Sequence, residues 1–213
     1  MAAMPVMAAD NANVAFSILV AAPVVAPREQ AAFASDSYLR ATGVPVEVLR
    51  AIPRTLGMRP PGGGFGYVDF AVQPFQQRMR QPVFVAYGTG DAAMPTVQGA
   101  LEIIDDLATA GNDGWTVRYY DGADHGIRID KVVVADFLRD MAAWIQSLPY
   151  SAGAAPTIAG AEPYQRFVAG PVESPRWFAE GDLLVALLVT IGLALLVGPV
   201  VWGARRVLRR EDS

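Results

Sequence analysis

The chain of 213 residues has no cysteine, one histidine and one lysine, Lys131. The missing cysteine excludes disulfides, thiolate nucleophiles and Cys-ligated zinc. A single imidazole cannot assemble a His-rich metal centre within one chain, so neither a metal nor another cofactor is expected. Basic residues are outnumbered by acidic ones, 17 against 21, for a net charge of −4. Several of the arginines crowd the C-terminal end, which leaves the body more acidic still. Nucleic-acid binding requires a basic surface, so no nucleic-acid partner is expected. The Pro/Gly stretch 60–66 lacks phosphate-loop spacing and a following Gly-Lys-Ser/Thr, and reads as a connection.

What the chain has in excess is apolar residues, at 53%, above the usual share. The excess is local: residues 183–203 carry no charge and are mostly Leu, Val, Ala and Ile. At about 1.5 Å per residue the stretch covers roughly 30 Å, the thickness of a bilayer core. A helix that is apolar on every face at this length predicts a membrane span. Arg205, Arg206, Arg209 and Arg210 follow it, and Trp177, Phe178, Glu180 and Asp182 precede it. That asymmetry predicts a single-pass membrane protein with a cytoplasmic C-terminus and an extracytoplasmic body. Four regions follow: a partial α/β domain at 1–148, a Pro/Ala/Gly-rich juxtamembrane spacer at 149–181, the span at 182–204 and a basic cytoplasmic tail at 205–213. The apolar stretch 14–26 has no Lys or Arg before it, so it reads as a buried strand passing into a loop rather than a signal peptide.

Within the body, 15–20 reads as a strand and 28–42 as a helix opened by Pro27 and stopped at Gly43. Residues 46–52 read as another short helix and 83–87 as a buried strand. A helix from Pro95 and Thr96 to Ala110 is expected to bury Val97, Leu101, Ile104 and Ala108, with Gly111 closing it. A strand at 115–120 and a helix at 132–148 complete the pattern. The apolar stripe of that last helix is Val133, Phe137, Met141, Trp144, Ile145 and Leu148. Alternating strands and helices predict a parallel sheet with functional groups at the carboxyl ends of its strands. Residues 149–178 show no period.

Two residues fall at those ends. Asp91 closes Gly88-Thr89-Gly90-Asp91 after one strand, and His125 lies in Gly122-Ala123-Asp124-His125-Gly126 after the next. As the only imidazole, His125 is the candidate general base near neutral pH.

The order strand, Gly-x-x-Asp, Pro95, helix, strand, Asp124-His125-Gly126, helix over 81–148 resembles the C-terminal part of α/β-hydrolases. The resemblance is closest to the dienelactone-hydrolase and prolyl-oligopeptidase-like branches. It implies the last three strands of the hydrolase sheet with flanking helices, 14–30 standing for the sixth strand and its loop. It also implies hydrolysis of a small-molecule ester or a peptide through an acyl-enzyme. His125 would be the base, and Asp91 would fix its tautomer and stabilise its charged form. Asp124 adjoins His125 and is badly placed to reach its ring.

The chain departs from that family at the nucleophile. An elbow needs small residues around its serine because the turn is strained. Ser17, Ser35, Ser37, Ser147, Ser151 and Ser174 each have a bulky residue or Pro nearby, and Ser213 is the last residue. Asp10 precedes a strand and Asp124 occupies the histidine loop, so neither fits as an aspartate nucleophile. The elbow and the first five strands are therefore expected upstream of Met1, with 1–10 as the end of the elbow helix. The reading is a truncated or split membrane-anchored hydrolase, inactive alone. Its first strand would have an unpaired edge, and it would depend on a completing polypeptide or on the lipid bilayer. The alternatives are a non-catalytic membrane-anchored domain that keeps the hydrolase core for binding or packing, and an unrelated α/β domain.

Overall fold

The computed structural model describes residues 3–52, 70–148, 155–173, 176 and 180–211. Its helices and strands run α1 (Ala3–Ala8), β1 (Ser17–Val20), α2 (Pro27–Ala41), α3 (Val46–Leu49), α4 (Gln73–Gln76), β2 (Val83–Gly88), α5 (Thr96–Thr109), β3 (Trp115–Tyr120), β4 (Arg128–Ile129), β5 (Val132–Val133), α6 (Ala135–Ser147), β6 (Thr157–Gly160) and α7 (Gly181–Glu211). Four strands form a parallel sheet in the order β1-β2-β3-β6. This is an α/β fold followed by an apolar C-terminal helix. Residues Gly181–Trp202 of α7 are long and apolar enough to cross a membrane, with a mean hydropathy of 2.7; Gly181 at its start is buried, and the residues that follow it are exposed or half-exposed.

The central strand explains its own sequence. β2 is buried at every position because helices cover both faces of the sheet, and such strands are continuously apolar. Val83, Val85 and Tyr87 face one side, packing with Leu19, Phe33 of α2, Ala100, Ile103 and Leu107 of α5, and Ala169. Phe84 and Ala86 face the other side, packing with Tyr120, Ala123, Ile127 and Phe137 of α6, and with the half-buried Met141 and Trp144.

Several expected elements are placed differently. α5 does not bury Leu101, which is 59% exposed. It buries Thr96, Gly99, Ala100, Ile103, Asp106 and Leu107 instead. A Cβ on Gly99 would approach the Tyr87 hydroxyl to 2.7 Å, so the helix needs a glycine where it meets that ring. Asp106 turns inward because Gln77 donates to its carboxylate at 3.0 Å, while burial raises its pKa. Val132 and Val133 belong to a two-stranded hairpin, not to α6, which starts at Ala135.

The expected spacer 149–181 contains the fourth strand of the sheet. Thr157 to Gly160 pair with Thr116 to Tyr119 of β3. The strand is short and largely exposed, so nothing in its sequence alternates. A Cβ at Gly160, whose φ is +95°, would collide with the Tyr119 carbonyl. Beyond β6 the chain packs back on the domain. The Phe167 ring lies 4.8 Å from that of Phe33, and the Gln165 side chain accepts hydrogen bonds from Val97 and Gln98 at the start of α5, at 2.9 and 3.0 Å.

Strand order advances steadily from β1 to β6. α2 and α5 lie on one face of the sheet and α6 on the other. The β3–β6 crossover, which carries α6, therefore has the opposite hand to the β2–β3 crossover, although one hand is the strong rule for such units. β6 is an edge addition rather than a continuation of the winding that precedes it.

Candidate functional site

Asp91 and His125 lie on the loops after β2 and β3, at the carboxyl ends of neighbouring parallel strands. Parallel sheets gather functional groups there, because successive crossovers open a crevice at that edge. The two loops dock main chain to main chain. Thr89 N–H donates to Tyr120 O and Gly90 N–H to Ala123 O, both at 3.0 Å. A Cβ at Gly88 would collide with the Ala123 carbonyl, and one at Gly90 would come within 2.7 Å of the Gly122 carbonyl. Both glycines are thus required for close approach, not for a left-handed turn. Thr89 adds a side-chain tie: its Oγ1 accepts from Gly122 N–H at 2.8 Å and donates to the Asp121 carboxylate at 3.4 Å.

This docking delivers the acid to the imidazole. Asp91 Oδ2 lies 2.9 Å from His125 Nδ1, with the Asp91 side chain 1% exposed and that of His125 56% exposed. Asp91 Oδ1 accepts from Ala93 N–H at 2.8 Å. One carboxylate oxygen is anchored by the backbone and the other holds the ring. With Nδ1 donating to Asp91, Nε2 is the nitrogen left to exchange a proton. The hydrogen bond that His125 donates to Asp91 raises the His125 pKa, and burial opposes that rise. Asp124 is occupied with its own turn, accepting from Gly126 N–H at 2.8 Å and Arg128 N–H at 3.0 Å. The Gly126 bond leads in lowering its pKa.

A cleft of about 270 Å³ opens beside His125, walled by Met4 and Pro5 of α1, by the end of β1 with the following loop, and by Gln30 of α2. Ala21, in that loop, has a φ of +45°. This region is sparsely populated by non-glycine residues and concentrates at functional sites. Ser17 and Ala21 direct their N–H groups to Pro82 O and Ala86 O of the β2 side. In a parallel ladder the alternate residues, Ile18 and Val20, turn their main chain the other way. No strand covers that edge among the described residues.

Among the described residues no serine is hydrogen-bonded to His125. Ser17 sits at the opposite end of β1, fully buried, where its hydroxyl accepts from Gln81 at 3.0 Å. Ser35 and Ser37 are on α2, and the Ser147 hydroxyl donates to Trp144 O. Ser151, Ser174, Ser213 and Trp177 lie outside the described residues. No group of acidic and histidine side chains suited to a metal ion occurs among the described residues.

The structure thus brings together the two residues that the sequence singled out. Sequence reasoning missed Thr89, the Ala93 amide and Gln30. The letters Gly-Thr-Gly before Asp91 carried a signal for the first; nothing marked the other two. No family model matches the chain, and no curated protein is similar to it.

Proposed function

We propose that this chain carries the acid and base of a serine-hydrolase relay on a single-pass membrane anchor, with its C-terminus cytoplasmic and the domain on the other side. The observation that carries this reading is the Asp91–His125 bond of 2.9 Å between a buried carboxylate and an exposed imidazole. An ordinary surface pair would leave both groups in water. Here the acid is fixed and dry while the base faces a cleft, as a base orienter and a base require. In such a relay Nε2 takes the proton of an attacking hydroxyl and returns it to the leaving group. Asp91 keeps Nδ1 protonated and stabilises the imidazolium. The substrate class is an ester or amide. The nucleophile is supplied from outside the described residues, by a polypeptide that completes the sheet beside β1.

A fluorophosphonate probe tests this. The chain alone should not label. Expressed with the polypeptide encoded in frame upstream, it should give one labelled serine on that polypeptide, lost in His125→Ala. Labelling of this chain alone, or labelling that survives His125→Ala, would overturn the reading. A second reading, a non-catalytic domain in which the pair only clasps two loops, is favoured by the absence of a serine bonded to His125 among the described residues. In that case no completing polypeptide restores labelling.

A further inference from the structure

We infer that Ile127 is the positioning residue of His125: its left-handed backbone and buried side chain hold the loop so that the imidazole meets Asp91. The inference rests on His125 serving as the base of the proposed relay, and it deepens that reading by naming what aims the base. Ile127 has a φ of +53°. Asp10, Ala21, Asp130 and Lys131 share that backbone region, but Ile127 is the only β-branched residue in it among the described residues. A β-branched residue there is an outlier, because its Cβ substituents crowd the backbone. Such a conformation persists only where its surroundings over-determine it, and it gathers at functional sites.

Here the surroundings act from two directions. The side chain is fully buried in the cluster of Phe84, Ala86, Ala123 and Phe137. The main chain is closed onto Asp124: Ile127 N–H donates to Asp124 O at 2.9 Å, and Asp124 N–H donates to Arg128 O at 2.8 Å. Arg128 N–H donates to the Asp124 carboxylate at 3.0 Å. Ile127 O accepts from Val134 N–H at 3.0 Å, which fastens the turn to the start of α6. An extended backbone at Ile127 would turn either Arg128 away from Asp124 or the side chain out of the core. Asp124 and His125 are themselves exposed, and they lie between two fully buried residues, Ala123 and Ile127. Ala123 O ties one end to the Asp91 loop through Gly90 N–H. Ile127 ties the other end to the core beneath α6. The place of the imidazole relative to Asp91 is set by these two pegs, and the strained one follows the histidine by two residues.

The test reads the pKa and ring tautomer of His125 by NMR on the full chain in detergent micelles. Ile127→Gly relieves the crowded backbone but removes the peg, and it leaves the neighbouring charges of Asp91, Asp124 and Arg128 in place. The His125 pKa should fall toward its ordinary value of 6.5, and Nδ1 should no longer hold its proton uniformly. Ile127→Leu, which keeps the buried volume, should leave both readouts as they are in the native chain. Ile103→Ala, in the core on the other face of the sheet, should lower stability without moving either. If Ile127→Gly lowered stability and left the pKa and tautomer unchanged, Ile127 would be a core residue only and the inference would be overturned. Should that variant fail to fold, the coupling is read in reverse, since it is reciprocal. In Asp91→Asn the amides of Ile127 and Arg128 should then exchange hydrogen faster than in the native chain, while those of Ile103 and Leu107 keep their rates. Unchanged exchange at 127 and 128 would overturn the inference. Neither readout needs a nucleophile, so failed labelling would remove the relay without touching this result.

Discussion

The two faces of the sheet are covered unequally, and the candidate site hangs from the thinner one. On the α2/α5 side, two helices and the returning segment around Phe167 and Ala169 seal a deep core. On the other side α6 is the only covering helix among the described residues, with Met141 and Trp144 only partly buried. Ala123 and Ile127, which flank His125, belong to that second cluster. Damage to the thick face should therefore be felt as loss of global stability, and damage to the thin face as a change at the imidazole. His125 is the only histidine, so its NMR titration is an unambiguous local probe.

The largest effect is expected from Ile103→Ala on α5. Ile103 is buried in the thick core, and such truncations cost about 3 kcal/mol. Thermal or urea unfolding should show that loss while the His125 titration of the folded fraction stays put. Phe137→Leu should cost less, about 1 kcal/mol, because most of the buried volume is kept. It should move the His125 resonance. If the two variants gave the same pair of readouts, the contrast between faces would be broken.

Asp91→Asn sharpens the contrast with little change in packing volume. The folded pKa of His125 is raised from 6.5, first by the Asp91 hydrogen bond. The pair therefore adds stability that is fully present below 6.5 and fades as pH rises through the raised value. Asp91→Asn should lower the His125 pKa and flatten that pH dependence. An unchanged titration would mean that the bond is not made in solution. Thr89→Val should have the smallest effect, about 1 kcal/mol for its lost hydrogen bonds, with a modest downward shift at His125 that Thr89→Ser restores. A shift as large as that of Asp91→Asn would make the loop tie as important as the acid.

β2 was legible in the sequence because a buried parallel strand leaves a continuous apolar run; β3, interrupted by Thr116 and Arg118, was legible through its aromatic and β-branched residues, and its bounds agree with those expected. The Asp91–His125 pairing followed from their places at neighbouring strand ends. α5 was found, but its buried face was misassigned. Periodicity ranks Leu101 above Gly99 and Asp106, whereas close approach to Tyr87 and a hydrogen bond from Gln77 decide the contact. β6 was illegible for a different reason: its four residues are held through main-chain pairing and a left-handed Gly160, and hydropathy registers neither. Thr89 was within reach, since a hydroxyl between two glycines at a strand end has little to do there except bind backbone. The cleft wall at Gln30 and Ala21 depends on tertiary placement alone.

The register of β1 has a consequence for the order of assembly. Ser17 pairs with Val83, whereas Val83 pairs with Trp115. Closing the β1–β2 loop spans about twice the chain that β2–β3 requires, and distant pairings form late. β1, paired on one side only among the described residues, should be the last of these three strands to join the sheet and the first to leave it. Its departure would take one wall of the His125 cleft with it while Asp91 and His125 stayed clasped, so hydrogen exchange should reveal a cleft that opens before its acid–base pair comes apart.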